Sequence, residues 1–343
     1  MKRMYLMFLI TMLLFSCAVQ GKSGKSSGEP EWLQNPKKVY SDQLYLTAIG
    51  EGDTRSEAEN FAASNLAKIF ESQISADDTY KQRYIELTKD DETTFEDLTD
   101  VTKNVKVTSA QTLYNIQFSE SYTDKVGRVH VLAYLNRTQT AEIYEEKINK
   151  NSRNIEYYVA QAESSDDVRV KYAALSAAAL ISHNNEILLK QLDIISPNYA
   201  EFIEINYDHN EISRLAAAYA RSISFKIEIK NDRNDKITNI VKNMFTDMGF
   251  VMNSNPVLSV KGDIRFEETD LNRDDFEFIR YELNLEITDL KNTVVSSLTE
   301  KGKEGHTTYF EAEERAVRKL SEKIGRSLKN KLIDYFDGLI KKK

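Results

Sequence analysis

Cys17 is the only cysteine among the 343 residues. Whatever this chain folds into must therefore be held by apolar packing, hydrogen bonds and ion pairs, without disulfides or thiolate metal clusters. The cysteine also closes a segment of definite character. Met1-Lys2-Arg3 is a basic start, Met4 to Phe15 is apolar except for Thr11, and the small Ser16 stands before Cys17. That is the layout of a secretory signal peptide, and an apolar run of 12 residues is too short to cross a hydrocarbon layer of about 30 Å.

Leu14-Phe15-Ser16-Cys17 resembles the bacterial lipobox, although Phe15 is bulkier than that pattern prefers. The motif implies a diacylglycerol on the Cys17 sulfur, cleavage before Cys17 and a further acyl chain, palmitate for instance, on the new amine. One short chain holds a protein only marginally, whereas two or three hold it stably, at about 0.8 kcal/mol per buried CH₂. The alternative is an ordinary signal peptide that happens to contain a cysteine. On the lipobox reading residues 1–16 are a lipoprotein signal peptide, and the mature chain is anchored to a membrane without spanning it. Cleavage leaves 327 residues (343 − 16), and loss of Lys2 and Arg3 moves the formal net charge from −8 to −10. Acidity of that order argues against nucleic acid as a partner, since phosphate binding needs a concentrated basic face. Lys341-Lys342-Lys343 reads as a solvated tail, because three charges contribute little at physiological salt.

Residues 17–29 are rich in Gly, Ser and Lys and read as a flexible tether. Order is expected from Pro30-Glu31-Trp32. Gln43 to Ile49 is a strand ended by Gly50-Glu51-Gly52, after which Asp53 or Thr54 can cap a helix, with Glu57 three residues after Thr54 as a capping box requires. The apolar stripe of that helix is Ala58, Phe61, Ala62, Asn65, Leu66 and Ile69. Asp77 to Asp100 is polar and partly helical. Val101 to Phe118 and Lys125 to Leu135 read as long strands, and a helix from Arg137 to Lys150 ends the unit. Next come two shorter helices, Tyr172 to Ile181 behind a cap at Asp166 or Asp167, and Asn184 to Ile194. From Ser222 strands return at Ile223–Ile229, Pro256–Phe266, Asp275–Ile287 and Val294–Glu300. Helices are expected at Lys236–Met248, stopped by Gly249, and from Tyr309 to about Gly338. The fold class is α+β: two small sheet-plus-helix domains, β-α-β-β-α over 30–150 and β-α-β-β-β-α over 222–338, joined by a helical segment over 151–221 and followed by a basic tail, 339–343. Glu57-Ala58-Glu59, Ala62, Leu66 and Phe70 are echoed by Glu311-Ala312-Glu313, Ala316, Leu320 and Ile324 at a constant offset of 254. Either a structural repeat or two similar amphipathic helices produces this.

No catalytic, cofactor-binding or metal-ligating residue is expected. Gly50-Glu51-Gly52 lacks the third glycine of a dinucleotide fingerprint and reads as a strand-to-helix turn. His130, His183, His209 and His306 are far apart in sequence, His130 on a strand and His306 in a turn. The acidic groups Asp90-Asp91-Glu92 and Asp274-Asp275 lie in polar stretches suited to solvated loops, and no nucleophile signature such as G-x-S-x-G occurs. Most of the 18 tyrosines and 15 phenylalanines fall at strand positions, where they fill cores or pair across strands. A few on an outer face could bind glycan or protein.

Pro30-Glu31-Trp32, the strand end Ala48-Ile49-Gly50-Glu51-Gly52, and Glu57-Ala58 with Ala62 and Asn65 resemble the start of the Lpp-twenty group of outer-membrane lipoproteins. The segment from Val129 to Arg137 resembles the end of that domain. The same domain type occurs in flagellar lipoprotein P and in the first domain of flagellar assembly protein T. Ile223 to Phe336 is more weakly similar to the small β/α domains of envelope assembly proteins such as TolB and the curli secretion lipoprotein. These resemblances imply a non-enzymatic lipid-anchored envelope protein with a structural or assembly role, facing the periplasm from the outer membrane, with self-association or envelope proteins as partners. The alternative is an outer-membrane lipoprotein that binds peptidoglycan or regulates a cell-wall synthase.

Overall fold

The computed structural model describes residues 28–70, 78–88, 113–269 and 276–342. Cys17, the signal segment, most of the tether, Asp90-Asp91-Glu92 and Asp274-Asp275 lie outside them.

After two short helical turns at Glu31–Gln34 and Pro36–Val39, strand β1 runs Tyr45–Gly52 and turns into helix α1, Arg55–Ala67. The expected capping box is formed: the Thr54 hydroxyl accepts from the Glu57 N–H, and the Glu57 carboxylate accepts from the N–H groups of Asp53 and Thr54. Such a cap contributes about 1 kcal/mol. The stripe that α1 buries differs from the expected one. Ala58, Ala62, Ala63, Leu66 and Ala67 face inward, while Phe61 and Ile69 are exposed. The reason is the closeness of the approach: a Cβ placed on Gly50 would lie 2.1 Å from the Ala62 nitrogen, so small residues take the seam and larger ones are displaced from it.

Helix α2, Asp78–Thr88, is followed by the short strands β2, Gln117–Phe118, and β3, Tyr122–Thr123, then β4, Val129–Asn136. Of the long strand expected over 101–118, residues 101–112 lie outside the described set, and within it only Gln117–Phe118 is strand. β4 pairs antiparallel with β1 on one side and with β2 and β3 on the other.

Helix α3 runs without a break from Arg137 to Ser164, and α4 from Val168 to Ile195 behind an Asp167 cap. Both overturn shorter expectations. The apparent breaks at Asn149–Asn154 and Ser182–Asn185 are rich in Asn and Ser, which favour turns. Here these residues face each other across the hairpin. Asn151 Nδ2 donates to Asn185 Oδ1 (3.0 Å), Asn185 Nδ2 donates to Tyr207 Oη (2.9 Å), and Tyr84 Oη donates to Asn151 Oδ1 (3.0 Å). The hairpin thus has a polar waist, in which the buried amides of Asn151 and Asn185 are both satisfied. On one side of it, Ala141, Tyr144, Ile148, Leu188 and Leu192 join the core under the first sheet. On the other, Ile155, Tyr158, Ala162 and Ala173–Ile181 join the second core. At 1.5 Å per residue a helix of 28 residues is about 42 Å long, and it serves as a spine between the two sheets.

A turn of helix at Pro197–Glu201 and helix α5, His209–Ala220, lead into the second sheet. Its strands are β5 (Ser224–Lys230), β6 (Val251–Met252), β7 (Leu258–Thr269), β8 (Glu277–Asp289) and β9 (Val294–His306), in the order β6-β5-β7-β8-β9. β5 is parallel to β6 and β7, which requires a crossover, supplied by helix α6, Lys236–Asp247. That helix stops where Gly249 takes φ +82°. Helix α7, Tyr309–Lys323, passes through a π-helical segment, Ile324–Leu328, into α8, Lys329–Asp337. The fold is α+β, as the sequence implies. The residues echoed at offset 254 have the same setting: each helix leaves an edge strand behind a Thr cap (Thr54, Thr308) and buries Ala, Ala, Leu and Phe or Ile.

Candidate functional site

Strand alternation divides the β1–β4 ribbon. Leu46, Ala48, Gly50 and Gly52, with Leu135, Ala133 and Val131 opposite, turn toward α1. The other face carries Tyr45, Thr47, Ile49 and Glu51 against Asn136, Tyr134, Leu132 and His130. At one end of this outer face Tyr40, from the N-terminal turn, lies on the strands. Its ring centroid is 4.8 Å from that of Tyr134 and 5.3 Å from that of Tyr45, and Tyr45 and Tyr134 are 5.9 Å apart. All three are half-buried. Burial, then the neighbouring phenols Tyr134 and Tyr45, push the Tyr40 hydroxyl above its ordinary range.

The opposite end of the face is charged. His130 Nε2 is 3.1 Å from Asp124 Oδ2, and Arg128 pairs with Glu51 at 3.0 Å. Asp124 also accepts from the N–H groups of Val126 and Arg128, closing the β3–β4 turn. The contact with His130, together with these backbone donors, holds the Asp124 carboxyl below its ordinary range. The strand placement expected for His130 is observed, and His306 is the last residue of β9.

The structure also assembles a group that sequence reading missed. His183 and Glu186 on α4 and His209 at the start of α5 place one ligand atom each within 4.8 Å of the others. The signal was the His-x-x-Glu spacing, which puts two ligands on one helix face; the third lies 26 residues further on (209 − 183). Ser182 Oγ is 2.8 Å from His209 Nδ1 and Glu186 is 3.6 Å from Nε2, the outline of a Ser-His-carboxylate group. Ser182 is fully buried, so its hydroxyl is not presented to a substrate. Among the described residues no helix is long and apolar enough to cross a membrane.

Against known proteins, residues 30–136 match the family model of the LPP20 lipoprotein. No curated protein matches the chain significantly. Among solved structures, a secreted protein of the human pathogen Helicobacter pylori is similar at TM-score 0.40 and 13% identity, over 83% of this chain and 97% of its own. A minor lipoprotein of Acinetobacter baumannii is similar at TM-score 0.26 and 15% identity, over 31% of this chain and 90% of its own.

Proposed function

We propose that this chain, whose residues 30–136 form an LPP20 lipoprotein domain, is a non-enzymatic structural or assembly component of the cell envelope. It is held through lipid on Cys17 to the periplasmic leaflet of the outer membrane. One observation carries the reading: the family match begins at residue 30, separated from the lipobox cysteine only by the polar tether 18–29. Ala18 follows the cysteine in place of the aspartate that retains lipoproteins in the inner membrane of enterobacteria, which favours the outer one. The 12 tether residues have an r.m.s. span of about 20 Å, so reach into the periplasm falls to the folded part and its helical spine. Flagella-associated assembly is the specific process suggested by resemblance. Homo-oligomers are the expected assembly form, since β1 and β9 are edge strands.

A second reading, binding of peptidoglycan or of a cell-wall synthase, is favoured by the cluster of Tyr40, Tyr45 and Tyr134, whose aromatic faces and hydroxyls suit a glycan or protein partner. Density-gradient separation of membranes, followed by incubation of the purified protein with bare sacculi, decides between the two. Outer-membrane sedimentation without retention on sacculi supports the assembly role. Retention that Tyr40→Ala and Tyr134→Ala abolish supports the second. Recovery in the inner-membrane fraction contradicts both.

A further inference from the structure

We propose that His183, Glu186 and His209 bind a divalent transition-metal ion of the zinc type, clamping the start of α5 to the middle of α4. Imidazole nitrogens with a carboxylate oxygen are a ligand set suited to zinc. The fold brings them together by independent devices. His183 and Glu186 sit one helical turn apart on the outer side of the polar waist, whose inner side is fixed by Asn185 and its partners. His209 is the first residue of α5, and its place is set by Asp208, which caps that helix by accepting from the N–H groups of Asn210 and Glu211.

The geometry around His209 suits a cation. Ser182 Oγ stands 3.0 Å from the Ala179 carbonyl oxygen and 2.8 Å from His209 Nδ1, so the hydroxyl engages that ring nitrogen and Nε2 is the one turned toward Glu186. In the tautomer with the ring proton on Nδ1, donated to Ser182 Oγ, the neutral ring presents a lone pair at Nε2. That lone pair faces Glu186 Oε2 at 3.6 Å, beyond hydrogen-bond distance. In that tautomer two electron-rich atoms face each other, as the ligand atoms of a bound cation do. Ser182 is thus the outer partner that orients a metal-binding histidine through its other nitrogen. With bonds of about 2.0–2.1 Å, ligand atoms around a tetrahedral zinc stand roughly 3.4 Å apart. The 3.6 Å pair is nearly at that separation, and the widest spacing in the group, at most 4.8 Å, closes by rotation of the exposed His183 side chain. Three protein ligands leave the fourth position to water.

A proton on Nε2 is the competing occupant, and a zinc titration separates the two. Untagged full-length protein in detergent, stripped with chelator, is titrated with Zn²⁺ by calorimetry, and Co²⁺ absorption reports coordination. The expected result is one ion per chain at micromolar Kd or tighter, weakened at least about 100-fold by His183→Ala or His209→Ala. Ser182→Ala, which keeps all three ligands, is expected to weaken it about 10–100-fold. Zinc should also raise the Tm of the wild-type protein. Absence of stoichiometric zinc binding to the wild type, or binding unchanged in both histidine variants, overturns the assignment.

Discussion

Gly50→Ala tests the claim that α1 rests directly on the β1 backbone. A Cβ at that position would meet the Ala62 nitrogen at 2.1 Å, the Ala58 carbonyl oxygen at 2.3 Å and the Ala62 Cα at 2.7 Å. All three are helix backbone, so no side chain can rotate away, and α1 must retreat by roughly 1 Å to restore van der Waals distances. Overpacking of this kind costs about 1–3 kcal/mol. The retreat also stretches the hydrogen bond from Asn65 Nδ2 to the Ile49 carbonyl, now 2.9 Å, worth about 1 kcal/mol. Against this, Ala lowers the entropy of the unfolded chain, stabilising by about 0.4–1 kcal/mol. The net is a loss of about 1–3.6 kcal/mol, read as a fall of several degrees in Tm by far-UV circular dichroism. Gly28→Ala, where a Cβ meets nothing within 4 Å, is the control and should leave Tm unchanged. A Gly50→Ala protein melting with the wild type would refute the close-packed seam.

Two further outcomes follow from ion pairs that join distant elements. Arg83 on α2 makes a two-pronged pair with Asp337 on α8, at 2.8 and 2.7 Å, with both side chains largely buried. Arg83→Ala should cost about 3–5 kcal/mol in a thermal or urea melt by leaving a buried carboxylate unpaired, and the double variant Arg83→Met/Asp337→Leu should recover most of it. Arg169 joins Asp167 at the head of α4 to Asp289 on β8 and to the Tyr335 hydroxyl. The hydrogen bond from its guanidinium holds the Asp167 carboxyl below the ordinary range. A depressed carboxyl stabilises the fold above its unfolded pKa of about 3.9 and loses that contribution as pH falls through the folded value. Melts between pH 5 and 2 should therefore show stability falling from about pH 4 downward, with a shallower slope in Arg169→Met.

Local signals with one physical cause were legible in the sequence. The Thr54–Glu57 box, the Asp167 cap and the stop at Gly249 each follow from the hydrogen-bonding or dihedral needs of a helix end, and each is present. Signals set by a partner were not. Asn151 and Asn185 look like helix breakers until the facing helix satisfies them, so each of the two 28-residue helices reads as shorter pieces in sequence. Phe61 and Ile69 fit the helical period yet lie outside, because the strand side of the seam carries Gly50 and Gly52 and admits only small residues. His183 and Glu186 carried a readable spacing, but their meeting with His209 depends on the turn between α4 and α5. The outer-face tyrosines gather because β1 and β4 pair in one register, with Thr47 opposite Tyr134, and no single segment announces that.

The proposed envelope role depends on attachment through Cys17. Cells producing the wild-type protein or Cys17→Ser are grown with an alkyne analogue of palmitate, and the chain is recovered and probed for label. Lipid attachment at Cys17 predicts label on the wild type, none on Cys17→Ser, and release of the variant from the membrane fraction. Equal labelling of the two, or a wild-type chain without label, would contradict it.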